Sequence, residues 1–165
     1  MASKSQILLA RLAALLVVVL VIAGALWHGV SAQAFQRVWH NLLDRPGGPM
    51  TFRFILQPAM AALVALRDGV KDARTRRAPY LWTILTSPMD RGGRLQEGLI
   101  ATARIILLGV GMDAIYQVTV LGTFYPAEAA VMALALGFLP YLILRGPIAR
   151  IARWHRGAAA PDQGQ

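Results

Sequence analysis

The sequence predicts an all-α protein that crosses a lipid bilayer four times, and three observations carry that fold class. Hydrophobic residues make up 56% of the 165 and charged residues 15%, against roughly 45–50% and 25% in soluble domains. Four apolar runs approach the roughly 20 residues that a spanning helix requires. The basic residues gather in the segments that four passes place on one side. With 17 basic and 8 acidic residues the net charge is +9. Such a balance suits nucleic acid or an anionic membrane face, and the positive mean hydropathy of +0.51 selects the membrane. There is no cysteine, which excludes disulfides, thiolate chemistry and cysteine metal sites.

The first predicted span is residues 7–27, with Arg11 near its start, where it can snorkel to the headgroups. Ala32-Gln33-Ala34 has the small-x-small form of a signal-peptide cleavage site. The apolar run, however, exceeds the usual roughly 7–15 residues of a signal, so a retained anchor is expected over cleavage after Ala34. Residues 28–50 read as polar and end in a Pro-Gly-Gly-Pro loop.

The second predicted span is residues 50–66. Its seventeen residues cover about 25 Å as a helix, short for a crossing unless the bilayer thins. Pro58 should kink it. Three spans plus one interfacial helix is the alternative. Residues 67–97 form a cytoplasmic amphipathic segment in which Asp68 can pair with Lys71, and Asp72 with Arg76, at helical spacing. Pro79 ends the charged helix, and "YLWTILT" should lie on the membrane surface with Tyr80 and Trp82 at headgroup depth. Residues 98–121 and 127–144 are the third and fourth predicted spans, the last broken by Pro140. The chain is thus one membrane domain, 1–156, followed by a disordered tail, 157–165.

Inner segments 1–6, 67–97 and 145–165 then hold twelve basic residues, whereas the outer loops hold two, Arg37 and Arg45. Basic residues collect in cytoplasmic loops, so both termini should be cytoplasmic. Trp27, Trp82 and Trp154 flank apolar segments, where amphipathic rings settle, and Trp39 could rest on the outer surface.

Within the third span, Thr102, Gly109, Asp113, Tyr116 and Gln117 share one side at 100° per residue. That small, polar side should face protein, since a carboxylate turned to lipid has no partner. Arg104 points nearly opposite and can reach the inner headgroups. No basic residue is expected at the depth of Asp113. This leaves two readings for Asp113: a contact with a partner helix, or a proton or cation site. Ala61 with Ala65, and Ala129 with Ala133, have the small-xxx-small spacing of close helix contacts.

"DGVKDAR", Asp68 to Arg74, partly resembles the D-G-x-x-A-R start of membrane CDP-alcohol phosphotransferases. It carries one extra residue and lacks the downstream carboxylates that would hold metal, so a solvated charged helix is expected instead. His28, His40 and His155 are scattered without metal-site spacing. "FRFILQP", "RDGVKDAR" and "LRGPIARIARW" together resemble uncharacterised small multi-pass membrane proteins of proteobacteria. That resemblance, spanning most of residues 50–155, implies a bacterial inner-membrane location.

The expected function is a non-catalytic structural or accessory subunit. It would pack on a larger membrane complex or on itself, with no cofactor, no metal and no nucleic acid. Arg145, Arg150, Arg153 and Arg156 would contact anionic lipid. The alternative is a small proton- or cation-coupled transporter or channel using Asp113.

Overall fold

The computed structural model describes residues 2–29, 31–44, 47–48 and 50–158, and every extended element among them is helical. α1, Lys4–His28, starts at a capping box. Ser3 Oγ accepts the Gln6 N–H at 3.2 Å, and Gln6 Oε1 accepts the Ser3 N–H at 2.9 Å. It stops at Gly29, whose φ of 68° suits glycine. α1 buries Ala10, Ala13 and Gly24, while Leu8, Leu12, Leu15, Val19, Ile22 and Leu26 point outward. A Cβ on Gly24 would strike Ala127, so this glycine permits a close approach of α1 to the start of α6.

α2, Ala32–Asp44, was not anticipated within the 28–50 segment. Its signal is a stripe rather than a run. Phe35, Trp39 and Leu43 recur four apart and are all exposed, while Arg37 and Asn41 turn toward the bundle. The short loop after it includes Met50 at φ 67°.

α3, Arg53–Arg74, joins the apolar second run to the charged segment in one helix about 33 Å long. α4, Tyr80–Thr86, follows a turn. α5, Pro88–Tyr116, starts ten residues earlier than the apolar run and passes into a π turn, Gln117–Leu121, which ends at Gly122, φ 65°. α6, Pro126–Gly137, and α7, Leu139–Ala158, form one long rod interrupted at Phe138. Pro140 explains the break: it has no N–H to return to the preceding turn. Phe138 N–H to Leu134 O and Leu142 N–H to Phe138 O, each 2.9 Å, carry the ladder past it. Residues 157 and 158 belong to α7, and the rest of the expected tail lies outside the described residues.

α1, α5 with its π turn, and α6 with α7 are three helices long and apolar enough to cross a membrane. α3 is less apolar, with Arg53 at one end and Arg67, Asp68, Lys71, Asp72 and Arg74 at the other. It nevertheless packs along one side against α5, α6 and α7. Its contacts fix its direction. Residue 53 meets 113 and residue 72 meets 94, so it runs antiparallel to α5; residues 68 and 72 meet 141 and 145, so it runs parallel to α7. Two apolar clusters fill the middle. One joins Ala10 and Ala13 to Ala103, Ile106, Val110 and Ala133; the other joins Ala61 and Ala65 to Tyr80, Ile84, Ile105 and Tyr141. Outside them the surface is rich in large apolar side chains, the reverse of a water-soluble bundle.

Candidate functional site

Three carboxylates are buried among the described residues: Asp72, Asp113 and Glu128. Each meets an arginine far away in sequence, and the polar interior is organised around these meetings.

Asp113 is fully buried and its Oδ1 lies 2.8 Å from Arg53 Nη1, itself 1% exposed. This corrects the expectation that no basic residue lies at its depth. Arg53 opens α3, Asp113 closes α5, and the antiparallel packing brings them level. On the other oxygen, Gln117 Nε2 donates to Asp113 Oδ2 at 2.6 Å. Gln117 also grips the start of the next connection: its Oε1 accepts the Tyr125 N–H at 2.5 Å and its Nε2 reaches the Tyr125 carbonyl at 3.3 Å. Beneath, Gln57 is buried and donates to the Ile105 carbonyl at 3.5 Å. Gly109 makes room for it, since a Cβ there would sit 2.5 Å from Gln57 Nε2 and 3.2 Å from Ala133.

Glu128, in the first turn of α6, accepts from Arg37 Nε at 3.1 Å and from Asn41 Nδ2 at 2.9 Å. A carboxylate is favoured there by the unpaired N–H groups of a helix start. Arg37 also lies 4.3 Å over the Tyr125 ring, against which His28 packs. These contacts latch α2 onto the bundle.

The opposite end holds a larger network. Arg145, on α7, is completely buried. It grips Asp72 with two nitrogens, Nε to Oδ2 at 2.8 Å and Nη2 to Oδ1 at 3.1 Å. That fork fits a planar guanidinium. Nη2 also donates to Glu97 Oε1 at 2.8 Å, and Nη1 to the Tyr141 hydroxyl at 2.5 Å; that hydroxyl donates on to Asp68 at 2.9 Å. Arg94 bridges Asp72 and Glu97 at 3.5 and 3.4 Å, and Arg77 reaches Glu97 at 3.4 Å. Two acids thus face three arginines, and Asp68 joins them through the Tyr141 hydroxyl. Arg145 also lies 4.3 Å over the Tyr80 ring, a cation–π contact. Burial pushes the Tyr80 phenol from its ordinary 10.0 up to about 12, against the pull of Arg145.

Three expectations are corrected here. Arg145 is not a lipid contact but the hub of an internal network. Tyr80 is buried within the bundle, donating to the Arg94 carbonyl at 2.7 Å, rather than lying on its surface; Trp82 and Trp154 are exposed. Asp72 also pairs with Arg145 from another helix rather than with Arg76. Arg150 is exposed, Arg153 donates to the Ala149 and Arg77 carbonyls, and the side chain of Arg156 lies outside the described residues. Thr102, Gly109, Asp113, Tyr116 and Gln117 all sit on the buried side of their helix, as do Ala61, Ala65, Ala129 and Ala133.

Fold and site together define a class: among the described residues, an all-helical bundle with three helices long and apolar enough to cross a membrane, whose buried carboxylates are matched by arginines from other helices. Comparison with known proteins returns no match, whether to a family model, a curated protein or a solved structure.

Proposed function

We propose that this chain is a non-catalytic integral membrane protein of four passes, α1, α3, α5 and α6–α7. Both termini face the cytoplasm, and it serves as a structural or accessory subunit that assembles with other membrane proteins or with itself. One observation carries the reading: every buried carboxylate among the described residues is matched by an arginine from a remote helix, so the polar interior holds the helices together. Asp113 is accounted for by Arg53 and Gln117 without a transport role. Asp68 and Asp72 are taken up by Tyr141 and Arg145, which weighs against a lipid-modifying enzyme centred on them. The packing of Gly24 on Ala127 supports a retained first helix. The outward apolar stripe of α1, with little of its length buried, supplies a face for assembly. The bacterial inner membrane is the location implied by the resemblance of residues 50–155.

Two measurements test this. The chain has no cysteine, and a Cβ at Gly47 or Gly92 meets no atom within 4 Å, so single cysteines can report topology. A membrane-impermeant thiol reagent should label Gly47→Cys from outside and leave Ala2→Cys and Gly92→Cys unlabelled; external labelling of Ala2→Cys would overturn the four-pass arrangement. Extraction from native membranes into lipid nanodiscs should yield particles whose protein mass exceeds the 17.9 kDa of one chain. A homogeneous single-chain particle would overturn the subunit role.

A further inference from the structure

α1 rests on α5 and α6 and leaves α3 uncovered on one side. At the end where α1 begins, this opens a cleft of about 590 Å³ between α1 and α3, floored by α5. Its lining mixes polar Gln6, Lys71 and Gln96 with apolar Leu9, Val64 and Ile100. Three cations line it: Arg67 and Lys71, one turn apart on α3, and Arg104 on α5. All three are exposed, and their side chains make no hydrogen bond or ion pair among the described residues. Two carboxylates also border it, but Asp68 accepts from Tyr141 and Glu97 from Arg145. The cleft therefore has three uncommitted cations facing two engaged acids.

Depth makes this unusual. Asp72 and Glu97 mark the level of the buried network. Arg67 is five residues from Asp72, and Arg104 seven from Glu97, both toward the bundle centre, which is about 7.5 and 10.5 Å inward. Guanidinium groups at that depth are costly in hydrocarbon without an anionic partner, and the protein supplies none. We propose that the cleft binds one anionic phospholipid. Its phosphate would lie between Arg67, Lys71 and Arg104, and an acyl chain would run along Leu9, Val64 and Ile100. The proposal rests on the membrane reading above. The apolar part of the lining is what selects a lipid over a free phosphate.

Native mass spectrometry of the full chain in mild detergent, titrated with dioleoyl phosphatidylglycerol or dioleoyl phosphatidylcholine, tests it. The expected result is preferential retention of the anionic phosphatidylglycerol. Arg67→Gln with Arg104→Gln should weaken that retention about 30-fold, from two basic contacts at an anionic surface. Arg76→Gln with Arg150→Gln, outside the cleft, should leave it unchanged. Ile100→Trp, which fills the cleft and keeps every charge, should also abolish it, covering the case in which the charge variant misfolds. Equal retention of both lipids, or equal loss in both double variants, would overturn the proposal, as would displacement by excess inorganic phosphate. Failure of the membrane reading is separate: the chain would then be recovered folded in the soluble fraction without detergent.

Discussion

Removing one member of the Arg53–Asp113 pair should cost far more than removing both. At 2.8 Å and an effective dielectric of about 20, the gross attraction is about 6 kcal/mol, most of it offset by desolvation of two buried charges. Asp113→Leu leaves the Arg53 guanidinium buried without its counter-charge, and Arg53→Met leaves the carboxylate likewise, each at about 3–5 kcal/mol. Asp113→Leu further deprives Gln117 Nε2 of its 2.6 Å acceptor, a loss of about 1–3 kcal/mol. Arg53→Met with Asp113→Leu removes both charges and fills the space with apolar side chains. What should remain is chiefly the Gln117 loss, so the double variant is more stable than either single one. The coupling across the cycle then comes to several kcal/mol. Equilibrium unfolding in mixed micelles, driven by increasing sodium dodecyl sulfate and followed by circular dichroism, measures all four corners. Additive single effects, with a double variant as unstable as their sum, would refute the account of Asp113 as a structural partner of Arg53.

Three further outcomes follow from the same geometry. Arg145→Met strips Asp72 of its two-pronged partner and should destabilise by about 3–5 kcal/mol, whereas Arg150→Met, on the exposed side of α7, should stay within about 0.5 kcal/mol; thermal melts in detergent compare them. Gly109→Ala drives a methyl into Gln57 and Ala133 and should cost about 1–3 kcal/mol, read by the same melts. Burial raises the Tyr80 phenol from 10.0 to about 12, so the unfolded chain loses this proton first. Its contribution to stability is full below pH 10 and is lost as pH rises toward 12. Wild type minus Tyr80→Phe, unfolded at stepped pH, should show that decline; a difference flat across the window would contradict it.

The apolar runs could be read because bilayer thickness sets their length, and the polar side of α5 could be read because helical periodicity sets which residues share a face. Asp113, Gln117 and Thr102 were therefore legible as a group. Their partners were not, because a basic residue at the end of an apolar run reads the same whether it snorkels outward or turns inward. Arg53 and Arg145 both turn inward, each toward an acid sixty or more residues away. A depth argument was available for Arg53. If α3 and α5 cross in opposite directions, the start of one is level with the end of the other. α2 escaped notice because its apolar residues come in short pairs, Ala34-Phe35, Val38-Trp39 and Leu42-Leu43, separated by polar ones, and its lock, Glu128, lies on another helix.

The same pairs explain how α3 sits in the bundle despite its modest apolarity. Arg53 and Asp72, the residues of α3 that meet Asp113 and Arg145, are nineteen positions apart, about 28 Å along the axis. That is close to the roughly 30 Å of a bilayer's hydrocarbon core. Between them α3 turns Ala61 and Ala65 inward and Ile55, Leu63 and Leu66 outward. The charges that lower its apolarity are thus concentrated at its two ends, and the buried ones among them are matched by the neighbouring helices. A count of charged residues along α3 alone scores them without the partners that neutralise them. In α3 the charges set the register instead. Sliding the helix by one turn, about 5.4 Å, would break both ion pairs at once while leaving the burial of its small residues nearly unchanged. The position of α3 is therefore held by its two charged ends, and its alanines set how closely it packs.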